Sequence, residues 1–212
     1  MTTLALLKSR IADDLNRTDL TSQIADAITD SIEYYKNDRF YFNETRASTF
    51  TTVADQSTYS ASDDADIPLF FDIDEVWVED SSGQRYYMSR LDPARMEYLL
   101  DNSAASGRPY EWSYFEESFR LFPIPDVSTY TVRPQGGIEK AAPATDGETD
   151  NVWMVDAFEL IRSLAKKYLA AHVTKDKDDA AMMQAAESHA FDTLLAKTSK
   201  RVGSGVIVST SF

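Results

Sequence analysis

The sequence predicts an α+β fold in which the N- and C-terminal helices pack as one bundle, with an inserted antiparallel β lobe and an extended C-terminal arm. Three observations support this prediction. Apolar residues recur at helical spacing at both ends of the chain, β-branched and aromatic residues dominate its middle, and a Gly-Ser-Gly segment precedes its last residues. At 212 residues the chain is long enough to bury a core.

Two helices are predicted at the N-terminus, over about residues 3–16 and 21–37. Thr2 or Thr3 can cap the first helix, and Thr21 or Ser22 the second. The apolar stripes are Leu4, Leu7, Ile11 and Leu15 in the first helix and Ile24, Ile28, Ile32 and Tyr35 in the second. Because such stripes repeat every three or four residues, we expect them to form core.

The middle of the chain reads as strands with one short helix. The helix begins at Asp92-Pro93, where Asp is a favoured cap and Pro a favoured first residue. Strands are predicted over residues 45–53, 69–79, 85–88, 110–115, 118–122 and 130–133. Gly136 and Gly137 are assigned to a loose linker.

Helical spacing returns from Asn151, with a polar break over residues 174–179 and a last helix over about 178–198. The expected apolar face of the first of these helices is Val155, Phe158, Ile161, Leu164 and Tyr168. The predicted domains are a helical bundle of residues 1–43 and 151–198, a β-rich lobe of 44–138, a linker of 139–150 and an extended arm of 199–212.

The C-terminal arm combines a basic cluster with an apolar tip. Its candidate docking residues are Lys197, Lys200, Arg201, Val206, Ile207, Val208 and Phe212. Gly203-Ser204-Gly205 favours a turning backbone, and the Val-Ile-Val run favours a strand. Such a segment either folds back on its own domain or adds to another subunit. We favour the second alternative, which indicates assembly rather than catalysis.

The formal net charge of −14 predicts that most of the protein surface repels nucleic acid, because phosphate binding requires clustered Lys and Arg. The first 80 residues hold 17 acidic and 6 basic side chains, whereas no acid follows Asp192. Cysteine is absent, which excludes disulfides and thiol ligands. No apolar run is long enough to span a bilayer, and no signal peptide is evident, so we expect synthesis in a cytoplasm and no membrane partner.

No catalytic, cofactor or metal site is predicted. His172 and His189 lie 17 residues apart outside any metal-binding frame. Asp63, Asp64 and Asp66 lack the spacing of a calcium loop. Carboxylate pairs for glycoside hydrolysis can be drawn from Glu111, Glu116, Glu117 or Asp126, but a chain with 35 acids always offers such pairs.

Alternation places Tyr110, Trp112 and Tyr114 on one face of a hairpin. Such a face could stack sugars or bases, or it could fill a core or a subunit interface. We favour a core or a subunit interface, because no basic residues interleave with the rings to hold phosphate.

The order of these elements resembles the head-to-tail adaptor (connector) proteins of tailed bacteriophages. Three segments carry the resemblance: YYKNDRFYFNE (34–44) after the opening helix pair, the strand-turn-strand-helix of residues 67–100, and SGRPYEWSYFEESFRLFPIPD (106–126) with its hairpin and Phe-Pro-x-Pro exit. A helical C-terminal portion and a loose tail complete the pattern, which covers most of the chain.

The resemblance implies a structural virion protein without enzymatic activity, located in the neck between portal and tail and made in the host cytoplasm. Such adaptors form a ring, usually of twelve copies, that prolongs the DNA channel and contacts the portal and a tail or nozzle protein. DNA passes through the lumen without specific binding, and residues 199–212 would reach the portal. The alternatives are a tail accessory protein with cell-wall hydrolase activity and a carbohydrate-binding module that uses the Tyr110-Trp112-Tyr114 face.

Overall fold

The computed structural model describes residues 2–202 and shows an α+β protein dominated by a curled, eight-stranded sheet that forms a half-barrel. The helices are α1 (Leu4–Leu15), α2 (Thr21–Tyr35), α3 (Pro93–Asn102), α4 (Val152–Val155), α5 (Phe158–Tyr168) and α6 (Lys177–Val202), with a π-helix (Leu169–Thr174) between α5 and α6. The strands are β1 (Glu44–Thr45), β2 (Phe50–Thr51), β3 (Thr58–Tyr59), β4 (Phe70–Glu79), β5 (Arg85–Arg90), β6 (Glu111–Phe115), β7 (Ser118–Phe122) and β8 (Thr131–Ile138).

The predicted fold, a helical bundle with an inserted antiparallel lobe and an extended arm, is wrong. The sheet dominates, and its strand order is β1-β8-β4-β5-β6-β7-β3, with β2 also pairing with β8. It is not wholly antiparallel, because β5 and β6 pair in parallel. The helix α6 continues to Val202, so residues 199–202 are helical rather than extended. The rest of the predicted arm lies outside the described residues.

Strand β8 is longer than predicted and joins β1, β2 and β4 in one sheet. Gly136 and Gly137 are strand residues that pair with both β1 and β4. A side chain at Gly136 would collide with the Asp72 carbonyl, and one at Gly137 with the Phe71 ring. The glycines therefore permit close approach of β4, which is irregular at this point.

The described chain divides into two compact units, a β unit of Glu44–Glu139 and a helical unit made of the segments before and after it. In the helical unit, the predicted stripes of α1 and α2 are confirmed at their centres, where Leu7, Ile11, Ile28 and Ile32 are buried. The helix expected from Asn151 breaks between α4 and α5, which leaves Val155 about half exposed, whereas Leu164 is buried in the core.

Helix α6 is attached to the helical unit by a narrow stripe. Over its 26 residues, Glu187 and Leu194 are the buried side chains among those described. Met182 and Leu195 are exposed. A long helix with so little burial depends on a few contacts for its position.

In the β unit, alternation along the strands separates a core face from an outer face. Val76, Val78, Met88 and Val132 are buried in one apolar cluster. The residues between them on each strand point to the other side of the sheet.

Candidate assembly surfaces

The C-terminal end of α6 is fixed by Tyr41, which follows α2. The Tyr41 amide N–H donates to Thr198 Oγ1 at 3.2 Å, and the Tyr41 hydroxyl donates to Asp156 Oδ1 at 2.6 Å. The Arg201 guanidinium lies 4.0 Å from the centre of the Tyr41 ring. Burial and the Asp156 carboxylate raise the pKa of the Tyr41 hydroxyl, which therefore remains a donor. The last turn of α6 is thus held on the helical unit.

We call Lys197, Lys200 and Arg201 together the cationic end of α6. All three are exposed, and Lys197 and Lys200 make no ion pair with any residue between 2 and 202. The basic part of the predicted docking segment is therefore open to a partner. The apolar docking candidates Val206, Ile207, Val208 and Phe212 lie outside the described residues.

A groove of about 480 Å³ lies between α2 and the π-helix. Its lining is Gln23, Asp26, Ala27, Asp30, Tyr168, Leu169, His172 and Val173, and we call it the acidic groove. Its floor is apolar, because Ala27 and Leu169 are buried, and its rim carries the exposed carboxylates of Asp26 and Asp30. The predictions from sequence missed this site because its two sides come from distant segments.

Negative charge in the acidic groove comes from Asp26 and Asp30. Burial, followed by the neighbouring Tyr34, Asp30 and Glu187, raises the pKa of Tyr168. Asp26 and Asp30 make no ion pair with any other described side chain. The π-helix has a wider turn than an α-helix, and π-helical segments often occur at functional sites.

A buried polar cluster secures the middle of α6, and the sequence analysis missed it. Glu187 is 7% exposed and accepts hydrogen bonds from the Tyr35 hydroxyl, from Lys167 Nζ at 3.1 Å and from Gln184 Nε2 at 2.8 Å. Burial and Glu187 raise the pKa of Tyr35 well above its usual value. The spacing of residues could have indicated this burial, because Glu187 lies on the same face of the helix as the partly buried Met183 and the buried Leu194.

The hairpin aromatics do not form an exposed aromatic face, the alternative that the sequence disfavoured. Trp112 is 2% exposed, lies in the core, and donates from Nε1 to the Met88 carbonyl at 3.2 Å. Tyr114 is partly buried, and its hydroxyl accepts from the Phe70 amide at 3.3 Å. Tyr110 is half exposed. Because the curled sheet covers two of the three rings, they offer no platform for stacking sugars.

An aromatic patch that the sequence analysis missed lies on the outer face of the sheet. Trp77 is in register with Tyr87 on β5 and with Arg133 on β8. Beside these rings, Glu79 Oε2 accepts from Arg85 Nε at 2.8 Å and from Arg133 Nε at 3.1 Å. Aromatic and arginine side chains are enriched at protein interfaces. The alternation Val76-Trp77-Val78-Glu79 was the available signal, since it places Trp77 opposite the core.

The predicted absence of a metal site concerns the histidines and the Asp63 loop. Within residues 2–202, His, Asp and Glu side chains do not gather in groups of three that could hold a metal ion. His172 and His189 are exposed, on the π-helix and on α6. The Asp63 carboxylate accepts from the Ser60 amide and hydroxyl, at 2.8 and 2.9 Å, and these bonds lower its pKa. Asp63 therefore organises its own loop.

Within the same residues, none of the helices combines the length and the apolar character needed to cross a bilayer. A comparison with curated proteins gives no match. A comparison with protein families gives a match to the SU10 adaptor protein over residues 1–209, almost the whole chain. The resemblance to phage head-to-tail adaptors is therefore confirmed, and the chain belongs to the SU10 adaptor protein family.

Proposed function

We propose that this protein is a structural component of the virion neck that forms a ring, of twelve copies, between the portal and the tail. The observation that carries the proposal is the family match over residues 1–209, because adaptors of this kind act in the head-to-tail connection. In this role the chain prolongs the DNA channel, contacts the portal and a tail or nozzle protein, and catalyses no reaction.

The distribution of charge supports passage of DNA without specific binding. Every basic residue of Glu44–Glu139 is an arginine, and this segment has no lysine. Arg85 and Arg133 are paired with Glu79, and the Arg108 guanidinium lies 3.4 Å from the centre of the Tyr86 ring. The segment holds seven arginines and 18 acidic residues, a balance that disfavours the many phosphate contacts of tight DNA binding.

The exposure of Lys197, Lys200 and Arg201 supports a role in assembly. The cationic end of α6, together with Val206, Ile207, Val208 and Phe212, docks on the portal or on a neighbouring copy. Of the predicted interface residues Tyr110, Trp112 and Tyr114, Tyr110 is exposed enough to contact a neighbour as the fold stands. Repetition around a ring strengthens contacts that are weak one at a time.

Electron microscopy of the purified protein mixed with the portal ring of the same phage tests the proposal. We expect added density on one face of the portal, with rotational symmetry and enclosing a central channel. Portal alone and portal mixed with the chain lacking residues 199–212 serve as controls. Portal particles that gain no density from the full-length chain would contradict the proposed function.

A further inference from the structure

We infer that the cationic end of α6 in one copy of this chain binds in the acidic groove of the next copy. This inference rests on the proposed ring and names the two surfaces that join its subunits. All the side chains on which it depends lie among the described residues of the helical unit.

The acidic groove suits a long basic side chain. Its lining includes the buried Leu169 and the exposed Val173, which can cover the aliphatic stem of a lysine or arginine. Its rim presents Asp26 and Asp30, whose carboxylates lack a cationic partner among the described residues. A groove of this kind on an acidic protein repels acidic partners and attracts cationic ones.

The cationic end of α6 provides the complementary charge. Lys197 and Lys200 are exposed and form no ion pair within the described residues, and no acidic residue occurs in the sequence after Asp192. The exposed Leu195 adds apolar surface beside them. Asp14, by contrast, already pairs with Arg162 and with Lys166 of its own chain.

The two surfaces of one copy cannot meet each other. The π-helix that lines the groove lies just before the first turn of α6, whereas Lys197 lies 20 residues beyond Lys177. Glu187 acts on Tyr168 of the groove lining, and at 1.5 Å per residue α6 carries Lys197 about 15 Å beyond Glu187. Because Tyr41 holds the last turn of α6 in place, the groove can receive only the cationic end of a second copy.

Two different patches of one chain that bind each other between copies produce head-to-tail association, which closes into a ring when the rotation between copies permits. The identical pair of surfaces then recurs at every junction. Because the charges are exposed, each junction is individually weak and sensitive to salt.

Engineered cysteines test the contact directly, since the chain has no cysteine of its own. Asp30→Cys copies are mixed with Lys200→Cys copies under mild oxidation, both as purified chain and bound to the portal ring of the same phage. We expect a disulfide-linked pair of chains on a non-reducing gel. Ser82→Cys, in an exposed turn of the β unit, replaces Asp30→Cys in the control mixture and should give only background. Absence of the cross-link from both preparations would overturn the inference.

Charge reversal provides a second, independent test. The variant D26K/D30K has a basic groove and a basic end, and K197E/K200E has an acidic groove and an acidic end. Each variant alone should lose self-association on the portal, because its two surfaces repel. An equal mixture should regain association as alternating copies, with unfolding curves confirming that both variants fold. Association of either variant alone at the parental level, or failure of the mixture, would refute the inference.

The two proposals fail in different ways. A cross-link in the purified chain, without added density on the portal, would refute the adaptor ring and leave the contact intact. Normal portal density without the cross-link, and without any effect of charge reversal, would leave the adaptor function intact and refute the contact.

Discussion

The ring of Trp77 meets the ring of Tyr87 edge to face, with centroids 5.4 Å apart and planes at 77°. The two residues are direct partners across β4 and β5, on the side of the sheet away from the core. Such an aromatic pair stabilises a sheet beyond the area that it buries.

Tyr87→Ala removes this contact from a side chain that is 55% exposed. We expect the free energy of unfolding to fall by about 0.5–1 kcal/mol, as for other cross-strand aromatic pairs. Chemical denaturation provides the measurement. Tyr87→Phe keeps the ring and should match the parent, and an equal loss in that variant would assign the effect to the hydroxyl instead.

Glu187→Ala leaves Tyr35 and Lys167 without their shared acceptor. Hydrogen bonds to a buried charged group contribute more than neutral ones, so we expect a loss of about 2–3 kcal/mol in the free energy of unfolding. The matched control is Asp192→Ala, an exposed acid on the same helix, which should change it by less than about 0.5 kcal/mol. Equal effects of the two substitutions would show that the cluster does not hold α6.

Gly136→Ala introduces a methyl group against the Asp72 carbonyl, where the β4 backbone leaves no room. Overpacking of this kind should lower the free energy of unfolding by about 2–3 kcal/mol. Gly147→Ala is the control, because a methyl group there meets no atom within 4 Å. If Gly136→Ala unfolds like the parent, β4 and β8 are not as close as described.

Asp14 predicts a pH dependence of stability. Burial would raise its pKa, but hydrogen bonds and charge attraction from Lys166 and Arg162 outweigh burial and lower the pKa from the ordinary value of 3.8. A carboxylate with a lowered pKa in the folded state stabilises it above the unfolded-state pKa, and this contribution is lost as the pH falls through the folded-state pKa. Asp14→Asn should therefore be less stable than the parent at neutral pH, and the difference should shrink as the pH falls below 3.8 and vanish below the lowered folded-state pKa.

Unfolding free energies measured across this pH range check the prediction for Asp14. Asp13→Asn provides the control, since Asp13 is exposed and forms no ion pair with a described residue. If the difference in unfolding free energy between Asp14→Asn and the parent stays constant below pH 3.8, the lowered pKa of Asp14 is not its cause.

Deletion of residues 199–212 should abolish binding to the portal ring while leaving the fold intact. The deletion removes Lys200, Arg201 and the apolar tip, but it spares Thr198, which binds the Tyr41 amide. Co-sedimentation with portal and a thermal unfolding curve measure the two effects. Normal portal binding by the truncated chain would show that the arm is not the docking segment.

Features with a regular period were predictable from the sequence. The stripe of α2 follows from the spacing of Ile24, Ile28 and Ile32, and α3 begins where Asp92-Pro93 indicates, with the Asp92 carboxylate accepting from the Ala94 amide at 3.0 Å. The period of the apolar residues identifies the buried face of a helix or strand. Prediction from sequence therefore succeeds where one face carries most of the apolar residues.

Contacts between distant segments were not predictable in the same way. Gly136 and Gly137 are typical of loops, and only the position of β4 shows why a strand needs them. Glu187 is a charged residue in an alanine-rich helix, and its burial depends on Lys167 and Tyr35 from other helices. The acidic groove likewise exists only because α2 lies beside the π-helix.

The absence of lysine from Glu44–Glu139 has a practical consequence for mapping contacts. Reagents that acylate primary amines cannot modify an arginine, so they leave the side chains of the whole β unit unlabelled. Every labelled lysine then reports on the helical unit alone, where the change in its reactivity upon mixing with another protein can be followed by mass spectrometry.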